Sequence, residues 1–215
     1  MLWSAMEDIE AMTRTERQLN ALRAEAWLPF EQRARVLERF NYLDIASQKV
    51  TAQGKWLADL RVDRPLLVGE ALARGLFAKL DAVRTAGLVA ALTSDAERDY
   101  GELPLDDALV TALAHYEYVA YDVASEEWKN DLEPAPEINL SAAGTATRWA
   151  EGEKWNNLVR ETRAEEGDLV RMLSRAGEAL LQISHLRDAH PAAAHTAAHA
   201  ASLILREPVR TDEDA

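Results

Sequence analysis

The sequence contains no cysteine. That excludes a disulfide scaffold, thiolate metal sites and a cysteine nucleophile, and it suits a reducing compartment. No run of about eighteen apolar residues occurs, so no membrane span is expected. The opening residues, Met1 to Asp8, are acidic and lack the apolar core of a signal peptide. A phosphate-cradling G-x-x-x-x-G-K-[ST] loop is missing: Gly54-Lys55 runs into Trp56, which offers no magnesium-binding hydroxyl, and the pair reads as a hairpin turn. A G-x-S-x-G nucleophile elbow is missing too. Basic residues are outnumbered, 24 Lys+Arg against 37 Asp+Glu, for a formal charge of −13. The deficit lies in the middle, where residues 65–140 hold five bases and fifteen acids. Binding of bare nucleic acid by the whole surface is therefore disfavoured, although a local basic stripe is allowed.

What remains is a folding composition: 215 residues, 48% hydrophobic and 28% charged, enough for one large domain or two small ones. Helical periodicity dominates. Residues 7–25 place Ile9, Met12, Leu19 and Leu22 near one face, and Trp27-Leu28-Pro29-Phe30 breaks that helix. Glu31 to Phe40 follows, with Val36, Leu37 and Phe40 inward. The period then shortens. Tyr42 to Ile45 and Lys49 to Thr51 are β-forming, Ala52 to Lys55 reads as a turn, and Trp56 to Leu60 follows; helix, strand, turn, strand is the tail of a winged helix. Helices return at Leu66 to Leu72 (ended by Gly75), Asp81 to Leu92, Leu105 to about Trp128, Leu140 to Trp149, Trp155 to Thr162, Asp168 to His185 and Pro191 to Arg206. Pro134 and Pro136 close the acidic stretch, and the tail from Thr211 to Ala215 is expected to fray. The fold class expected is mainly α: a helical bundle (63–215) preceded by a partial winged-helix element with one small β-hairpin (1–62).

His195 and His199, with His190 upstream, have metal-compatible spacing but lack a third ligand and the glutamate of H-E-x-x-H. They read as solvent-facing. Asp106-Asp107 reads as a helix start and Glu126-Glu127 as a solvated face. The helix from Asp168 to His185, set off from the one before it by a turn containing Gly167, is more informative. Leu169, Met172, Leu173, Ala176, Leu180 and Ile183 form a stripe to bury. Arg171, Arg175, Glu178 and Gln182 fall on the opposite face, within about 60° of one another. Three readings stay open. The face is a plain polar surface with an Arg175–Glu178 pair; or a ladder touching a single nucleic-acid strand, since arginine both binds phosphate and stacks on bases; or part of a helix-turn-helix DNA reader.

The string from Trp149 through Gly152 and Trp155 to Glu166-Gly167-Asp168-Leu169-Val170-Arg171-Met172-Leu173 resembles the C-terminal (DSHCT) domain of superkiller-type DExH-box RNA helicases. Arg35 to Leu43 and Val50 to Ala58 resemble the end of that family's winged helix, and Leu66 to Phe77 its next helix. The resemblance implies a "ratchet" helix lining an RNA channel, matched here by Asp168 to His185. Arg171, Arg175 and Gln182 would contact single-stranded RNA, and Trp149, Gly152, Glu166, Gly167 and Asp168 would be structural. Ser174 stands where the family often has a base. The implied partners are RNA and a RecA-like helicase core of the same polypeptide, in the cytoplasm and away from membranes. ATP and magnesium would belong to that motor, so this chain would carry no cofactor and no catalysis of its own.

Overall fold

The computed structural model describes residues 2–134 and 138–210. Expectations for Pro136, the tail 211–215 and the side chain of Ile9 fall outside the described residues. The elements in order are α1 (Leu2–Leu22), a π-helical stretch (Arg23–Trp27), α2 (Leu28–Arg39), β1 (Leu43–Asp44), β2 (Lys49–Val50), α3 (Ala52–Asp59), α4 (Pro65–Ala73), α5 (Ala82–Thr93), α6 (Asp107–Lys129), α7 (Leu140–Ala150), α8 (Trp155–Thr162), α9 (Glu166–Ser184) and α10 (Pro191–Ile204).

The bundle is built around α5. Ala86, Leu88, Val89, Ala90, Ala91 and Leu92 are all buried, and α7, α9 and α10 pack against them. Small side chains allow close crossings. A Cβ at Gly87 would overlap Thr147 of α7, and one at Gly177 of α9 would overlap Leu205 just beyond α10. Caps set the helix starts. Asp81, Asp106 and Asn139 accept from the backbone N–H groups of Arg84, Leu109 and Ala142, satisfying donors that a helix end leaves open. Asp106 thus performs the role expected of it, whereas Glu126 and Glu127 are half-buried rather than fully solvated. Glu126 pairs with Lys129 at 3.1 Å and Arg39 at 3.9 Å.

Two expectations are corrected. The first helix is not broken at Trp27-Leu28-Pro29. It continues through a π turn in which the Leu28 N–H reaches the Arg23 carbonyl. A proline ring collides with the carbonyl four residues back, and the wider turn relieves that collision. Met12, Leu19 and Leu22, which share one face of α1, are more than half exposed. Residues 52–60 are not a turn and strand but α3. Thr51 accepts from the Gly54 N–H, and Gly54 is glycine because a Cβ there would overlap the Tyr42 carbonyl. The hairpin is β1 with β2, Leu43 opposite Val50 and Asp44 opposite Lys49. It is tied to the bundle by the Tyr42 hydroxyl, which donates to buried Glu70 at 2.8 Å. Glu70 also accepts from Arg74, which reaches Asp122 of α6 at 2.7 Å.

Candidate nucleic-acid interface

The exposed face of α9 is rigid because its other face is closed. Leu169, Leu173, Ala176, Leu180 and Ile183 are at 0% exposure and Met172 at 1%. On the outer side Arg171, Arg175 and Glu178 are exposed and Gln182 is half-buried. The sequence thus placed both arginines on the correct side of the helix. Arg175 does not pair with Glu178. Its guanidinium bonds the Asp63 carboxylate, from the segment between α3 and α4. Among the described residues Arg171 enters no ion pair. Ser174 is half-buried and donates to the Val209 carbonyl at 3.3 Å.

A second segment flanks the start of α9. Asn139 donates to the carbonyls of Asp95 at 2.7 Å and Arg98 at 2.6 Å, and Thr145 to that of Tyr100 at 2.7 Å. These bonds pin residues 95–100 against α7. From there Arg98 reaches Asp168 in the first turn of α9. The Tyr100 phenol is pushed up by burial and lies within electrostatic reach of Asp95, Arg98, Asp168 and Arg175. The outer face of α9 therefore carries two guanidiniums edged by two ion pairs, Arg98–Asp168 and Arg175–Asp63. Both pairs are substantially exposed and so contribute little to stability. A phosphate that displaced Asp63 would meet the same fork-shaped donor.

The expected structural residues divide. Trp149 is fully buried, and its indole N–H donates to the Ile204 carbonyl at 2.9 Å. Trp155 stands edge-on to it at 5.5 Å and donates to Glu166 at 3.1 Å. Gly152 takes φ +98° at the α7 exit, a conformation that favours glycine. Arg206, which sequence reasoning missed, completes this cluster. Its guanidinium lies 3.2 Å from the Trp149 ring centroid and donates to the carbonyls of Trp149 at 2.8 Å and Glu153 at 2.7 Å. Gly167 was misplaced. It sits inside α9 in open space with no positive φ. The turn before α9 is made by Arg163, at φ 56°. Asp168 is the first-turn acid held by Arg98.

His195 and His199 are exposed on α10, whereas His190 is half-buried, edge-on to Trp56 at 4.6 Å. Among the described residues no group of three or more His, Cys, Asp or Glu is placed to hold a metal ion, and no helix is long and apolar enough to cross a membrane.

A family model described as the DSHCT (NUC185) domain matches residues 47–212. The chain is 25% identical over 198 residues to a DExH-box ATP-dependent RNA helicase, DExH15, chloroplastic, of Arabidopsis thaliana, covering 89% of this chain and 17% of that protein. It is 27% identical over 180 residues to mRNA transport homolog 4 of Caenorhabditis elegans, covering 78% of this chain and 17% of that one. The chain thus spans about a sixth of the length of these relatives. With the model spanning the residues that build α3 to α10, including the whole of α9 and its supporting cluster, the chain belongs to the DSHCT family.

Proposed function

We propose that this chain guides single-stranded RNA along α9 as the accessory module of an ATP-dependent RNA helicase, bracing a RecA-like motor of the same polypeptide. Residues 1–62 supply the winged-helix-like portion and 63–215 the bundle. Arg171 and Arg175 carry the strand contact, one turn apart on a face whose back is fully buried, and Gln182 extends the track. That juxtaposition is the observation supporting the reading: a rigid helix presents two guanidiniums to solvent, one of them paired, among the described residues, with an exposed carboxylate. ATP, magnesium and their chemistry belong to the motor, in a cytoplasmic setting.

The test is binding of a single-stranded RNA and of duplex DNA across a salt series. RNA binding should weaken with salt. Arg171→Ala and Arg175→Ala should each lower the logarithmic salt slope by about 0.7, the value for one phosphate contact to a single strand. Asp63→Asn should tighten RNA binding, because a competing carboxylate is gone. In the motor-bearing protein both arginine variants should weaken coupling between ATP use and strand movement.

The Arg175–Asp63 pair also favours a second reading, a structural or protein-interaction module without strand contact. Under it, Arg175→Ala lowers the melting temperature and leaves RNA binding unchanged. Selective binding of duplex DNA would instead favour a helix-turn-helix regulator.

A further inference from the structure

Helix α6 has two apolar faces, and the bundle uses one. Leu109, Leu113, Tyr116 and Val123 are buried. A second stripe, Val110, Ala114, Tyr118, Tyr121 and Trp128, follows helical spacing on another side. Its aromatic members are 73%, 71% and 67% exposed at Tyr118, Tyr121 and Trp128. Large aromatics that open to solvent, aligned on one helix, are the composition of a recognition surface rather than of ordinary bundle exterior.

Beside this stripe lies a groove of about 480 Å³ between α6, Leu67 of α4 and the Ile138–Leu140 approach to α7. Tyr121, Trp128, Ile138 and Leu140 give it apolar walls. Tyr116 also lines it, and the Tyr116 hydroxyl is buried without a hydrogen-bond partner among the described residues. Such a hydroxyl is costly unless something meets it. The rim is acidic. Helix α6 carries five acids, Asp107, Glu117, Asp122, Glu126 and Glu127, against Lys129 alone. Glu117 lines the groove, and among the described residues it enters no ion pair.

We propose that this groove docks a protein segment in which aliphatic side chains alternate with lysine or arginine. The aliphatic groups fill the space between Trp128, Ile138 and Leu140. The cations lie over the exposed faces of Tyr121 and Trp128 and against Glu117, where ring quadrupole and carboxylate both attract them. A nucleic-acid strand also stacks on aromatics, but the surplus of carboxylates repels its phosphates. The surface is separate from the outer face of α9, so it stands whether or not RNA travels there.

The experiment uses the whole chain and three labelled probes: short peptides of leucine alternating with arginine, the same peptides with glutamate for arginine, and oligouridine. Anisotropy should show binding of the basic peptide and much weaker binding of the acidic one. In nitrogen-labelled protein the Trp128 indole signal should shift. Trp128→Ala, Tyr121→Ala and Glu117→Lys should each weaken the basic peptide by about tenfold or more. All three positions are at the surface, so melting temperature should hold. Arg175→Ala should leave the peptide unaffected. Failure of the basic peptide to bind, equal binding of both peptides, or displacement of the peptide by oligouridine would overturn the proposal.

Discussion

Arg206 lies 57 residues beyond Trp149 in sequence yet closes over its ring. Its guanidinium joins the Gly152 N–H on the Trp149 carbonyl and also meets the Glu153 carbonyl at the helix exit, while its flat face covers the indole. Arg206→Ala should cost about 1–3 kcal/mol in urea denaturation, since two part-buried carbonyls lose a charged donor and the indole loses its cover. Arg206→Lys should recover only part of that, because an ammonium cannot stack and fork at once. No local pattern announces this residue. Trp149 and Gly152 were legible because they stand in a family string; Arg206 was not, because its role depends on a fold that returns the chain to α7. The Arg175–Asp63 bond, spanning 112 positions, was hidden for the same reason, and the nearer Glu178 was the partner expected in its place.

At the level of elements, periodicity served the long helices well and glycine misled twice. Gly54 and Gly167 both read as turns. One sits in α3 because a side chain would strike the Tyr42 carbonyl, and the other in α9 where nothing crowds it. The real turn into α9 uses Arg163 in the left-handed region, where composition gives no warning. A paired substitution separates these roles. Gly167→Ala should be neutral or should stabilise by about 0.5–1 kcal/mol, since alanine is the better helix former. Gly177→Ala on the same helix should destabilise by about 1–3 kcal/mol, because its methyl group meets Leu205 in a filled crossing. Thermal melts of the two variants should therefore move in opposite directions or differ clearly in size. The hairpin was anticipated in kind, though its second half was placed across what is α3.

For the whole molecule, the core lies around α5 and the N-terminal helix stands apart. α1 contacts chiefly the π stretch that follows it, and Met12, Leu19 and Leu22 face outward. Amphipathic spacing alone could not reveal this, since a stripe that meets the bundle and a stripe that meets nothing here look the same in sequence. Deleting residues 1–22 should leave the urea midpoint of the remaining chain nearly unchanged, whereas truncation before Arg206 should lower it sharply. The bracket between Trp149 and the segment 204–206 bears on time as well as stability. A chain leaves the ribosome from its first residue onward. α9 emerges before α10, and the partner that Gly177 was shaped to meet, Leu205, emerges after all of α10. The buried stripe of α9 therefore waits, half-covered, for α10 to be made. The face that presents Arg171 and Arg175 acquires its fixed orientation only once Leu205 has been made and has closed on Gly177.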